Sequence, residues 1–158
     1  MAQPILIPAS GAALVEVFDA EIRFTMPRAA SGAGLSVFEE THRGSGGPPM
    51  HVHHREDEVF RVLEGRFRIR VGAEDFEAAP GDTLFLPRDV PHCFFSAGEG
   101  VGRLLIALQP GGFERFFLDV ATEGLAVPTD LERIAAIAAS YGLEFLGPNP
   151  FAGPGAER

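Results

Sequence analysis

Three of the five histidines in this 158-residue chain, His51, His53 and His54, fall within four positions. Side chains alternate between the two faces of a β-strand. His-x-His therefore sets His51 and His53 on one face and turns His54 to the other. Glu58 follows after a short polar stretch, and His92 sits in a second segment framed by Gly81 and Pro87. Two imidazoles from one strand, a carboxylate beyond a turn and a distant histidine complete a four-ligand metal site once the chain folds back on itself. The other residues able to do chemistry are scattered.

The rest of the chain reads as short strands punctuated by glycine and proline. Residues 22–26 (IRFTM), 35–41 (LSVFEET), 58–63 (EVFRVL), 76–78, 83–86, 92–96 and 102–108 are β-prone, with SGGPPM at 45–50 a loop and Glu64-Gly65 a turn. In 66–71, Arg66, Arg68 and Arg70 alternate with Phe67, Ile69 and Val71, the pattern of a half-buried strand with its arginines in solvent. Strands at this even spacing predict a small sandwich or barrel. After Pro110-Gly111 the pattern turns helical. Phe113, Phe116, Phe117 and Val120 share one side of a short helix. A capping box at Thr129 to Glu132 opens a second helix that runs to about Tyr141 and stops at Gly142, with Leu131, Ile134, Ala135 and Ala138 as its apolar stripe. The expected organisation is one domain: a β-barrel over 1–110, a helical extension over 111–146 packed on it, and a loosely ordered Pro/Gly-rich tail over 147–158.

Composition sets the outer limits. With 46% apolar and 22% charged residues the chain has the make-up of a soluble globular protein. A net charge of -9 argues against nucleic acid and against anionic lipid as partners. The single Cys93 excludes an internal disulfide. The opening MAQPILIPASGAALVEV has no basic n-region and no long apolar run, which leaves a cytoplasmic location as the expectation.

Three histidines and one glutamate suit a divalent transition ion: Fe, Mn, Ni, Zn, Co or Cu fit the donor set, and nothing in it selects among them. The spacing also has a precedent. The chain resembles the cupins, whose first motif runs G-x5-H-x-H-x(3,4)-E-x6-G. His51, Val52, His53, four residues, Glu58, six residues and Gly65 match it, with Ser45 between Gly44 and Gly46 where the first glycine is due. The second motif runs G-x5-P-x-G-x2-H-x3-N. Gly81, Pro87 and His92 match in register, while Asp89 stands for the second glycine and Ser96 for the asparagine. The resemblance implies a mainly β, double-stranded β-helix (jelly-roll) barrel and His51, His53, Glu58 and His92 as ligands. It also implies a possible homodimer, since cupins commonly pair. The segment GGPPMHVHHREDEVF is similar to quercetinase-like members, which cleave flavonols with dioxygen.

Neighbouring residues admit plainer roles. Asp57 competes with Glu58 for the carboxylate position, but only Glu58 leaves six residues before Gly65. Arg55, Glu56 and Asp57 read as a solvated turn, Cys93 as a buried inert thiol, and His42 as either structural or pocket-lining. Strand parity points Phe60 and Val62 the same way as Glu58, and Phe94 and Ser96 the same way as His92, giving an apolar wall suited to an aromatic or enolic molecule. The expected activity is a metal-dependent dioxygenase-type reaction on such a small-molecule substrate, with Glu58 also as general base. The alternatives are a non-redox isomerase, epimerase or lyase, and a binding protein without turnover. The phenylalanines at 113–120 either form a dimer contact or close the chain's own barrel.

Overall fold

The computed structural model describes residues 4–98 and 100–153. Eleven strands form two antiparallel sheets. In chain order they are β1 (Ala13–Val17), β2 (Ala20–Met26), β3 (Ser36–Arg43), β4 (Met50–His53), β5 (Asp57–Glu64), β6 (Phe67–Val71), β7 (Glu74–Ala78), β8 (Thr83–Leu86), β9 (His92–Ser96), β10 (Val101–Gln109) and β11 (Leu143–Gly147). A single helical turn, α1 (Arg28–Ser31), follows β2, while α2 (Glu114–Glu123) and α3 (Leu131–Ser140) lie between β10 and β11. One sheet runs β1-β2-β3-β10-β5-β8 and the other β11-β4-β9-β6-β7. No helix is long and apolar enough to cross a membrane among the described residues.

Alternation builds the core. In β3, Ser36, Phe38, Glu40 and His42 are buried and the residues between them are not. In β10, Gly102, Leu104, Ile106 and Leu108 face in. In β5, Glu58, Phe60 and Val62 do so. The chain crosses from β5 in one sheet to β6 in the other through a turn at Gly65, whose φ of +78° lies in the left-handed region. A Cβ there would sit 2.7 Å from the Val101 carbonyl oxygen, so the turn admits only glycine without movement. Asp89, where the second motif has glycine, also adopts a left-handed φ of +63°, a conformation aspartate tolerates better than most residues.

The helical region departs from expectation at three points. The capping box does not form: Asp130 is the N-cap of α3 and its carboxylate accepts from the Ala126 N–H. The buried stripe of α3 is Ile134, Ile137 and Ala138, leaving Leu131 and Ala135 exposed, because the helix packs against β11 and α2 rather than centring on Leu131. Residues 143–147 are a strand that pairs with β4, in register Leu143 with His53 and Phe145 with His51.

The segment beyond β11 is tied down as far as it is described. Asn149 is buried and its side-chain amide donates to the carbonyls of Pro48 and Phe94 at 2.7 and 2.8 Å. Phe151 lies under the Arg68 guanidinium, 4.3 Å from ring centroid to Cζ. The Pro/Gly content suggests a loose tail, but these contacts hold 147–153 on the second sheet. Residues 154–158 lie outside the described part.

Candidate metal centre

β4 places His51 and His53 on its inner face, as their two-residue spacing dictates. His92 opens β9, the neighbour of β4, directly opposite His51. Glu58 reaches across from β5 in the facing sheet. All four residues are buried, and one donor atom from each lies within 4.8 Å of all the others. His54 points outward: its Nδ1 meets the Asp89 carboxylate at 2.7 Å and its Nε2 meets Glu144 at 3.3 Å. Those two hydrogen-bonded carboxylates push its pKa above the ordinary histidine value. Asp57 likewise points away, held at about 2 by hydrogen bonds from Arg88.

The imidazoles are fixed from behind. Nδ1 of His51 lies 2.8 Å from the Pro49 carbonyl and Nδ1 of His92 lies 3.0 Å from that of Val90. A carbonyl oxygen only accepts, so both Nδ1 atoms carry the proton and both Nε2 atoms present lone pairs to the centre. Nδ1 of His53 faces the Glu56 carboxylate at 3.4 Å. Glu56 is buried, contrary to the solvated turn expected of it. It lies three residues after His53, where the turn out of β4 brings it back beneath the ring. That spacing is the only sequence signal for it.

Electrostatics prepare the set for a cation. Burial, reinforced by His92 and His53, drives His51 down to about 3, so it stays a neutral donor. Burial works to raise Glu58, but His53, His92 and His51 outweigh it and hold the carboxyl at about 2. Burial pulls His92 down, yet the Glu58 carboxylate more than reverses this. Glu58 Oε2 and His92 Nε2 are 2.7 Å apart, but both are buried without a hydrogen bond of acceptable geometry. Two buried electron-pair donors aimed at one point in this way fit a divalent ion.

Above His53 sits an aromatic cover. The Phe113 ring, at the start of α2, packs edge-on against His53 with centroids 4.4 Å apart and continues into Phe116 and Phe117. Phe117 in turn meets Phe38 of the barrel wall. The α2 phenylalanines thus close this chain's own barrel. A buried latch holds the start of α2: Glu114 accepts from Ser36 Oγ at 2.5 Å and from the Arg28 N–H at 2.7 Å, while Ser36 Oγ accepts from the Gly112 N–H.

On the other side of the centre, Phe60 and Phe94 are buried, with rings 5.6 Å apart and Phe60 6.4 Å from His92. Val62 and Ser96 are also buried, each a further two residues along its strand, deeper in the barrel. His42 is buried beyond Phe94 and bonded to Glu40 at 2.8 Å, away from the four converging donors. Cys93 points to the opposite face, toward Asn149, and burial pushes its thiol up to about 11.

The family model for the cupin domain matches residues 37–108, the span that contains all four donors. The barrel is a cupin. Among solved structures, this cupin superposes on KdgF from a Halomonas species with a TM-score of 0.63 over 72% of this chain and 99% of that one, at 15% identity. The polyketide cyclase RemF from Streptomyces resistomycificus gives 0.57 over 68% and 80%, at 21% identity. Likeness at these identities establishes the fold. By sequence, the cupin is 27% identical to polyketide synthase CurC of Streptomyces cyaneus over 99 residues, 63% of this chain and 62% of that one. The chain spans about half the length of other curated relatives it matches.

Proposed function

We propose that this cupin is a metal-dependent enzyme acting on a small, largely apolar molecule that carries an enolisable carbonyl or a phenol. The observation that carries the reading is the buried, unpartnered meeting of Glu58 Oε2 and His92 Nε2 within the imidazole cluster. His51, His53, Glu58 and His92 would hold one divalent transition ion. Bound there, the ion supplies Lewis acidity to a substrate oxygen, which lowers the pKa of the adjacent O–H or C–H. Glu58, ionised at neutral pH, is the side chain placed to receive that proton. Phe60, Phe94 and Phe113 keep water away and offer flat apolar surface. The inward positions of β5 and β9 carry no lysine or arginine, which disfavours a phosphorylated substrate.

The deprotonated substrate has two courses. We favour a non-redox one, such as ring closure or loss of water. RemF is named a polyketide cyclase, CurC a polyketide synthase, and another structural neighbour a nucleoside dehydratase. Reaction with dioxygen is the second course, favoured by the dry aromatic surroundings of the centre and by the quercetinase-like segment. The test begins with elemental analysis of protein purified without added metal. Turnover of a flavonol and of an aromatic polyketide precursor is then followed by mass spectrometry with and without oxygen. Turnover that is equal without oxygen supports the favoured course, oxygen uptake matching product supports the second, and a metal-free preparation that rejects added ions removes both.

A further inference from the structure

We infer that Asn149, remote in sequence from the four donors, is a positioning residue of the metal centre, so that the chain beyond β11 controls how tightly the centre holds its ion. The inference rests on reading the four donors as a metal site. His51 and His92 come from neighbouring strands that barely pair. β4 meets β9 in register at His51 and His92. The next contact is the bridge between Gly46 and Ser96. Residues 47–50 therefore face residues 93–95, and the longer side bulges between the two contacts. Pro48 and Pro49 stand in this bulge and have no N–H to give. The backbone groups of His92 and Ser96 turn toward β4 and the loop before it, and alternation turns those of Phe94 the same way. The Phe94 carbonyl thus points into a gap where neither proline offers a donor. The approach is so close that a Cβ on Gly47 would collide with that carbonyl.

Asn149 fills that gap. Its Nδ2 donates one hydrogen to the Pro48 carbonyl at 2.7 Å and the other to the Phe94 carbonyl at 2.8 Å. Its Oδ1 accepts from the Phe151 N–H at 3.0 Å. Two carbonyls that only accept on one side, and an N–H that only donates on the other, fix the orientation of the amide. One primary amide therefore stands in for the missing rung between the two ligand-bearing strands. The tie lies just behind the donors. Pro48 precedes Pro49, whose carbonyl holds Nδ1 of His51, and Phe94 stands two residues beyond His92 on β9. The rings of His51 and His92 are 4.5 Å apart between centroids. Each ring keeps its own carbonyl whatever Asn149 does, so loosening the tie moves the two donors relative to each other. Asn149 reaches its place because β11 pairs with β4 as far as Gly147 and Met50, while Phe151 under the Arg68 guanidinium anchors the chain on its far side.

Cobalt(II) binding to the full chain tests the tie, by chelator competition and by the visible absorption of the bound ion. Asn149→Asp keeps the shape of the side chain but sets an acceptor oxygen where the two hydrogens were. Asn149→Ala removes the amide and leaves room for water, which makes it the gentler variant should the first not fold by circular dichroism. Each is expected to weaken cobalt binding at least about tenfold and to change the absorption spectrum. Phe151→Ala loosens the same segment but keeps the amide, and is expected to match wild type in both. In metal-free protein, the ring nitrogen signals of His51 and His92 in NMR spectra should move in the folded Asn149 variant, and more than that of His53, which Glu56 holds. Folded Asn149 variants that bind cobalt as tightly as wild type with the same spectrum would overturn this inference alone. So would unmoved His51 and His92 signals, or a Phe151→Ala protein as weak as the Asn149 variants, which would assign the effect to the docked segment rather than to the amide. A wild type that takes up no cobalt would overturn the metal reading and this inference with it.

Discussion

Replacing Phe113 by alanine tests whether α2 closes the metal centre. The ring is buried and meets His53, Phe116 and Phe117 at centroid distances of 4.4, 5.3 and 5.5 Å. Deleting a buried phenylalanine costs about 3–5 kcal/mol through lost transfer energy and the cavity left behind. The latch from Glu114 to Ser36 and Arg28 keeps the start of α2 in place, so the cavity should stay open rather than collapse. Urea unfolding of the metal-free protein at pH 7 should show a loss in that range, whereas Phe113→Leu, which keeps most of the volume, should lose less than about 1.5 kcal/mol. The opened path should also release a bound cobalt(II) ion to a chromophoric chelator at least about tenfold faster, equivalent to about 1.4 kcal/mol off the barrier. A Phe113→Ala protein within 1 kcal/mol of wild type, as an order of magnitude, or one that releases cobalt no faster, would refute the cover.

Three further outcomes follow from the site. His53→Ala should lose most bound metal, while His54→Ala, whose ring is tied to Asp89 and Glu144 on the outside, should retain it; equal loss in elemental analysis would mean the facing of β4 is wrong. Glu56→Gln should lower cobalt affinity by about 10- to 100-fold in chelator competition, because it weakens the hold on His53 without touching a donor atom; unchanged affinity would make Glu56 a bystander. Metal-free protein should lose stability on acidification from pH 6.5 toward 3. His51 stays neutral down to about 3, while the unfolded chain takes up its proton near 6.5. A folded-state pKa below the unfolded one gives stability that is full above the unfolded value and lost as pH falls. Glu58, at about 2 against 4.5, extends the loss below pH 4.5, and the raised His92 offsets part of it. Urea midpoints that do not move between pH 7 and 4 would contradict this.

The legible part of the site was the part written in short periods. His51, His53, Glu58 and His92 converge because strand alternation and two turn spacings fix their directions, and Gly65 marks a turn that a side chain would block. Glu56 was missed because a carboxylate in a charged turn looks solvated until the chain around it closes. Strand β11 was missed because LEFLG follows a strong helical stretch and precedes a Pro/Gly run, and its reason for being a strand is the free edge of β4. The face of α3 was misplaced for the same kind of reason: Leu131 and Ile137 both suit an apolar stripe, and packing against α2 and β11 chose between them.

Sequence by itself settled which residues share a strand face and which donors can meet, because alternation and turn chemistry act over a few residues. The cupin barrel was legible through the resemblance of its two motifs to that family, each motif joining a strand of one sheet to a strand of the other. Tertiary structure alone decided that Phe113 lies over His53, that Glu56 braces it from behind, and that Asn149 pins the far end of the chain to Pro48 and Phe94. Those contacts join residues with no local pattern in common, and their energies arise only when distant surfaces exclude water together.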